Sequence, residues 1–242
     1  MRCGSSYLAG LFDEHPQVTM AKPFIINEPK YFLSPNSEKN GYDSYFDAYF
    51  SDAPEASILG EKSVSYLETK EAAERINSLI PEAKIIIVLR DPVRRAISHY
   101  YYSRKNNLEK RDFDKAFLTL EDLEPSPEFS KISMPPFSYL NRGLYQKNIE
   151  YYQSIFGQKN VHIIILENLV SGMDGGLSKM YEFVGADPDF SPSGFEIMTN
   201  QSTPKNYSPP EETLERLRSY FRKPNDALSQ SFGLDISQWD NS

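Results

Sequence analysis

The stretch KIIIVLRDPVRRAISHYYYSRK, residues 84–105, contains the clearest buried strand of the chain and the start of the helix that follows it. Its apolar run continues without a polar residue, as a parallel strand that is covered on both faces requires. Pro92 then stands in the first turn of a helix, where its missing N–H costs nothing. This stretch therefore predicts a strand that ends at Arg90 and leads directly into a helix.

Buried strands and amphipathic helices alternate along the rest of the chain. A second buried strand is predicted over 160–169, and the helices are predicted over 4–14, 42–50, 70–80, 143–156 and 175–185, with a pair of short helices over 213–228. This alternation predicts an α/β fold, a parallel β-sheet flanked by helices with right-handed crossovers. No linker or internal repeat interrupts it, so we expect a single domain over residues 1–242.

The composition of the chain argues against several classes of binding partner. The 242 residues carry a formal net charge of -8, which argues against a nucleic-acid binder or an anionic-membrane binder. No run approaches the ~18 apolar residues of a membrane span. The single cysteine, Cys3, excludes an internal disulfide and a thiolate-rich metal site, and the three histidines have no metal-ligand spacing. Any anionic ligand must therefore be held by a local group of cations, and we expect no metal.

The opening segment RCGSSYLAGLFDEHP, residues 2–16, has the features of a phosphate cradle. Gly4 allows close approach of the backbone, the following N–H groups and hydroxyls donate, and Arg2 supplies positive charge. An ordinary helix cap explains the same pattern equally well. The segment also lacks the second glycine and the lysine of the nucleotide-triphosphate loop G-x-x-x-x-G-K-[ST].

Arg90 and Ser98 form a second candidate for phosphate binding. Arg90 lies at the carboxyl end of a buried strand, where open α/β sheets bind ligands, and Ser98 lies eight residues further on in the next helix. A strand-end arginine and a helix-borne serine can converge on one phosphate group. The alternative for Arg90 is a salt bridge to Asp91 or another nearby acid.

Together these segments resemble the sulfotransferase family that uses 3′-phosphoadenosine 5′-phosphosulfate (PAPS). Residues 2–8 are similar to its loop [KR]-x-G-[ST]-[ST]-x-x-L, with the leucine one place early, and residues 89–100 match L-R-[DN]-P followed by R-x-x-S-x-Y. The resemblance implies a P-loop-NTPase-like sulfotransferase fold. It also implies that PAPS is bound by Arg2, Cys3, Gly4, Ser5, Ser6, Tyr7, Arg90 and Ser98.

Further segments resemble the heparan-sulfate-type, glycan-modifying branch of that family. INEPKYF, residues 26–32, is similar to a segment whose glutamate is the catalytic base, here Glu28. GEKSVSYL, residues 60–67, resembles a segment whose lysine contacts the transferring group, here Lys62, although Val64 replaces the usual proline. Residues 140–156 are similar to a third segment of this branch. The resemblance also suggests that Lys205 contacts the 3′-phosphate.

The implied reaction is transfer of a sulfuryl group from PAPS to a hydroxyl acceptor, which is a carbohydrate, a lipid or a small molecule. In-line displacement needs a base and positive charge near the sulfuryl oxygens. The resemblance assigns the base to Glu28 and the charge to Lys62 and Arg2. Two alternatives stay open: a nucleotide-dependent phosphotransferase of the P-loop class, and a catalytically inactive nucleotide-binding homologue.

The sequence departs from the family in two respects, one at its amino terminus and one that bears on the cellular compartment. The family has a buried strand before its first phosphate loop, and none stands here, so we expect a chain truncated at its amino terminus. Heparan-type members often carry a disulfide near the Lys205 loop, which a single cysteine cannot form. This difference favours a cytoplasmic enzyme over a secretory one.

Overall fold

A computed structural model describes residues 2–22, 28–55, 57–123, 135–172, 175–193 and 209–239. The chain divides into two units. The strand unit consists of residues 4–89 and 148–200, and the helical unit consists of residues 1–3, 90–147 and 201–242. That residues 1–242 form one domain stays a prediction.

Helices and strands alternate through the described part of the chain, which confirms the α/β class. The strands are β1 Val18–Met20, β2 Ile58–Gly60, β3 Ile85–Leu89 and β4 Val161–Ile165. The α-helices are α1 Ser5–Asp13, α2 Asn36–Tyr49, α3 Lys70–Leu79, α4 Pro92–Lys105, α5 Phe113–Phe117, α6 Gln146–Phe156, α7 Leu166–Val170, α8 Gly176–Val184 and α9 Glu211–Phe232. Short 3-10 turns cover Tyr31–Leu33, Tyr66–Glu68, Asn141–Gly143, Gln158–Asn160 and Ser237–Trp239.

All four strands lie in the strand unit and pair in parallel. β1 pairs with β2 from Val18 opposite Ile58, and β3 pairs with β4 from Ile85 opposite Val161. Among the described residues these pairs form two separate two-stranded sheets. The core packs apolar side chains of α1 and α8 against the strands, chiefly Leu8, Leu11, Phe12, Met20, Ile164 and Met180. This packing fixes the start of α1, where the predicted phosphate loop enters the unit.

The helical unit is built around α4 and α9. Val93, Ala96 and Ile97 of α4 are buried in one core with Leu217 and Phe221 of α9. The N–H of Val93 donates to the Asp91 carboxylate at 2.9 Å, which caps α4. The predicted strand and helix of residues 84–105 are thus confirmed as β3 and α4, one in each unit.

The C-terminal prediction of two short helices is wrong. α9 continues as one helix through Pro224, although a proline removes one backbone hydrogen bond and costs about 3 kcal/mol. Leu217, Phe221 and Leu228 are buried along α9 on both sides of that proline. Burial of three large apolar side chains offsets the cost of the proline and holds the helix in one piece.

One strand prediction also needs correction, and one strand was not predicted. The strand predicted over 160–169 ends at Ile165, and the remaining residues form α7 because a helical turn buries Leu166 and Leu169 together. β1 was not predicted, since three residues are too short to show a periodic pattern. In the part of the chain that the structure describes, no helix is long and apolar enough to span a membrane.

Candidate active site

The predicted phosphate loop enters the strand unit as a tight turn at Gly4. This residue has φ 84° and ψ 13°, in the left-handed region that glycine tolerates. A Cβ atom at this position would lie 2.6 Å from Cδ1 of Leu166. Ser5 and Ser6 follow as the first residues of α1, whose first turn has no acidic side chain. The backbone N–H groups and positive dipole of this helix start favour an anion.

Lys62 joins the start of α1 to the predicted base. Its Nζ atom lies 2.9 Å from Oε1 of Glu28, in an ion pair whose two side chains are each 11% exposed. The same Nζ donates to Oγ of Ser6 at 3.5 Å. Oε2 of Glu28 accepts the backbone N–H of Val64 at 3.2 Å. The structure thus brings together Glu28, Lys62 and Ser6, three residues that the sequence marked as functional.

Glu61, which the sequence analysis did not single out, lies next to this pair. Its Oε2 accepts a hydrogen bond from the Tyr45 hydroxyl at 2.7 Å, and its Oε1 accepts one from the Ser63 hydroxyl at 2.5 Å. Burial raises the pKa of the Glu61 carboxyl, while the hydrogen bonds from Ser63, Tyr66 and Tyr45 oppose that rise. Its position directly before Lys62 in the sequence was the signal that could have identified it.

The helical unit brings together Arg2, Arg90 and Ser98. Nε of Arg2 donates to Oγ of Ser98 at 3.1 Å, and a guanidinium nitrogen of Arg90 donates to the backbone oxygen of Arg2 at 3.1 Å. Arg2 has φ 67° and its guanidinium lies 5.3 Å from the centre of the Tyr102 ring. Burial lowers the pKa of Arg2, and the charge of Arg90 lowers it further. A bound anion would relieve this repulsion between cations.

Tyr145 is a second residue that the sequence analysis did not assign. Its hydroxyl donates to the backbone oxygen of Arg90 at 2.7 Å and lies 3.9 Å from Sγ of Cys3, which is buried. Burial raises the pKa of Tyr145 well above its usual value, so the hydroxyl stays protonated. Tyr145 therefore holds the backbone of Arg90 within the helical unit. It belongs to the segment 140–156 noted for its resemblance, which was the available signal.

The other predicted residues have simpler surroundings. Tyr7 packs in the core of the strand unit, so any contact with an anion would come from its backbone. Asp91, the suggested partner of Arg90, caps α4 and lies 3.7 Å from Arg94. His99, for which the sequence analysis predicted no role, is fully buried, and this burial lowers its pKa. Lys205 lies outside the described residues.

No group of three or more His, Cys, Asp or Glu side chains in the described ranges is arranged to hold a metal ion. The functional groups described above are those of lysine, arginine and hydroxyl side chains, together with the Glu28 carboxylate that pairs with Lys62. Such a donor set suits phosphate or sulfate oxygens.

Comparison with known proteins identifies relatives over most of the chain. Residues 2–223 match the family model described as "Sulfotransferase domain". The chain is 27% identical over 231 residues to human heparan sulfate glucosamine 3-O-sulfotransferase 3B1, an alignment that covers 84% of this chain and 57% of that protein. It is 27% identical over 255 residues to the mouse bifunctional heparan sulfate N-deacetylase/N-sulfotransferase 4, covering 93% of this chain and 28% of that protein.

The fold also has a solved counterpart. A crystal structure of a sulfotransferase from Alicyclobacillus acidocaldarius superimposes with a TM-score of 0.78 at 23% sequence identity, over 99% of this chain and 95% of the other. This similarity confirms the predicted fold. The chain spans little more than half the length of the first of the curated relatives described above.

Proposed function

Because the chain belongs to the sulfotransferase family, we propose that it transfers a sulfuryl group from PAPS to a hydroxyl group of a carbohydrate. The acceptor class is suggested by relatives whose names specify heparan sulfate. The observation that carries the proposal is the Lys62–Glu28 ion pair, which lies against Ser6 at the start of α1. A base and a cation for the sulfuryl group thus meet at a helix start suited to an anion.

Two sets of residues would hold the donor. In the strand unit, the turn at Gly4 and the hydroxyls of Ser5 and Ser6 would bind the 5′-phosphosulfate. In the helical unit, Arg2, Arg90 and Ser98 would supply positive charge and donors to phosphate oxygens. Burial and the nearby charge of Arg90 both lower the pKa of Arg2, and this concentration of positive charge supports the role. The other residues that the resemblance assigns to the donor are Cys3, Tyr7 through its backbone, and Lys205.

Glu28 would act as the general base. Each of its oxygens accepts one hydrogen bond in the described structure, and a carboxylate oxygen can accept two, so a hydroxyl of the acceptor can still bind. Glu28 takes the proton of that hydroxyl while the acceptor oxygen forms a bond to sulfur and the bond from sulfur to the phosphate oxygen breaks. The products are the sulfate ester, the bisphosphate PAP and a protonated Glu28.

Lys62 would stabilise charge in the transition state. Its ammonium group has three N–H donors, and among the described residues two of them have partners, Glu28 and Ser6. The third is available to a sulfuryl or bridging oxygen. Lys62 also holds Glu28 in place before the reaction.

The proposal is tested by transfer of radiolabelled sulfate from PAPS to a panel of carbohydrates, lipids and small alcohols. We expect Glu28→Gln to lower kcat about 10²–10⁴-fold, because general-base catalysis contributes that much, while PAP still binds. The matched control is Glu82→Gln, which changes an exposed carboxylate in the turn before β3 and should leave kcat unchanged. Wild-type turnover in Glu28→Gln would contradict the assignment of the base.

Calorimetry with PAP separates the remaining alternatives. A PAPS-dependent enzyme binds PAP without Mg²⁺, whereas a nucleotide-dependent phosphotransferase needs Mg²⁺ to neutralise the triphosphate. Binding of PAP without label transfer to any acceptor would favour an inactive homologue. Binding of ATP with Mg²⁺ but not of PAP would contradict the proposal.

A further inference from the structure

The Glu61 carboxylate accepts hydrogen bonds from hydroxyl groups that have no part in the proposed reaction. It accepts from Tyr45 at 2.7 Å and from Ser63 at 2.5 Å, and the Tyr66 hydroxyl also hydrogen-bonds to it. Tyr45 is 6% exposed, and burial raises the pKa of both tyrosines, so these hydroxyls stay protonated and donate. The two oxygens of a carboxylate offer about four acceptor sites, so Glu61 can accept from all of these donors at once.

Two of these hydroxyls also accept from the segment that carries the base. The backbone N–H of Lys30 donates to Oγ of Ser63 at 3.0 Å, and the backbone N–H of Phe32 donates to the Tyr66 hydroxyl at 3.2 Å. Ser63 and Tyr66 therefore each connect the backbone of residues 28–32 to the Glu61 carboxylate. Without that carboxylate, the direction of both hydroxyl hydrogens is undefined.

The geometry points to Glu61 as a positioning residue for the reaction proposed above. We infer that its carboxylate orients the hydroxyls of Ser63 and Tyr66, which hold residues 28–32 against residues 61–66. Glu28 lies on the first of these segments and Lys62 on the second. Glu61 thereby sets the 2.9 Å distance between the predicted base and the predicted cation. The inference rests on the proposed function of that pair.

The contacts of Glu61 distinguish it from a residue that only supports the fold. Its neighbours in sequence and in space are the Lys62–Glu28 pair and the backbone N–H of Val64, which donates to Glu28. A small shift of this segment changes both hydrogen bonds of Glu28 at once. Since a misplacement of about 1 Å can cost about 10²-fold in rate, the expected effect is on kcat and not on donor binding.

The test is Glu61→Gln, which keeps the shape of the side chain but replaces one acceptor oxygen with an NH₂ donor. We expect kcat to fall about 10- to 100-fold, while the Kd for PAP and the KM for the acceptor stay within about twofold. Ser63→Ala and Tyr45→Phe each remove one donor and should lower kcat by less. Tyr151→Phe, which removes an exposed hydroxyl bonded to Glu74, is the control and should leave kcat unchanged.

The double variant Glu61→Gln with Glu28→Gln distinguishes a positioning role of Glu61 from a merely structural one. If Glu61 acts through Glu28, the double variant is as slow as Glu28→Gln alone, because misplacing a side chain that no longer accepts the proton costs nothing. Independent, multiplicative losses would overturn the inference, as would wild-type kcat in Glu61→Gln or a parallel loss of PAP binding. If Glu61→Gln does not fold, Ser63→Ala in the Glu28→Gln background makes the same comparison.

Failure of this inference differs from failure of the proposed function. Wild-type turnover in Glu28→Gln contradicts the base itself, whatever Glu61→Gln does. An inactive Glu28→Gln together with a fully active Glu61→Gln contradicts only the positioning role.

Discussion

Single side chains make the contacts on which anion binding depends. Oγ of Ser98 accepts from Arg2, and Ser98 is only 3% exposed, so this hydroxyl holds the guanidinium in one orientation. A hydrogen bond to a charged group contributes about 1.5–3 kcal/mol, and about 1.4 kcal/mol corresponds to a tenfold change in affinity. Arg2 is thus oriented by a neutral residue, with Arg90 bound to its backbone.

At this scale we predict that Ser98→Ala raises the Kd for PAP about tenfold, because it removes the acceptor that orients Arg2 and a donor for phosphate. Calorimetry measures the change. Ser154→Ala, an exposed serine of α6, is the matched control. Equal affinities in both variants would show that Ser98 has no part in binding the donor.

At the scale of the element, α1 has one glycine at its N-cap and one inside the helix, and the two have opposite requirements. Gly4 has a positive φ and lies against Leu166, whereas Gly10 lies inside the helix with no described atom within 4 Å of a Cβ placed there. Glycine is necessary in the first position and costs stability in the second. The same helix therefore offers a variant and its own control.

We predict that Gly4→Ala destabilises the protein by about 1–2 kcal/mol and weakens PAP binding, because an alanine is strained at this φ and its Cβ would displace Leu166. Gly10→Ala should stabilise it by about 0.5–1 kcal/mol and leave PAP binding unchanged. Urea unfolding and calorimetry measure the two effects. If Gly4→Ala did not lower the free energy of unfolding, the turn would not need glycine.

At the scale of the whole molecule, the net charge of -8 opposes the approach of anionic acceptors. The repulsion acts over a Debye length of about 30 Å at 0.01 M salt and about 8 Å at 0.15 M. It affects association rates more than contacts in the bound state.

We therefore predict that kcat/KM for a sulfated acceptor rises when salt is increased from 0.01 to 0.15 M at saturating PAPS, because screening weakens the repulsion. An uncharged acceptor from the same panel should show little change. A kcat/KM for the sulfated acceptor that falls with salt would instead indicate a local basic surface that outweighs the net charge.

The sequence by itself determined the local structures that depend on residues close together in the chain. The apolar run of β3, the proline that starts α4 and the glycine turn before α1 are local patterns, and each has the predicted structure. The motif resemblance also predicted that Glu28 and Lys62 belong to one site, and the two side chains form an ion pair. The sequence analysis missed the single helix through Pro224, because the burial that offsets a proline comes from distant residues.

The tertiary structure decided which side chains meet. Glu28 and Lys62 are 34 residues apart in the sequence, Arg2 and Ser98 are 96 apart, and no local pattern specifies either distance. The hydroxyls that donate to Glu61 come from Tyr45 in α2 and from Ser63, which are 18 residues apart in the sequence. Hydrogen bonds between distant segments depend on how the core packs, and that packing is a property of the folded chain and not of any one motif.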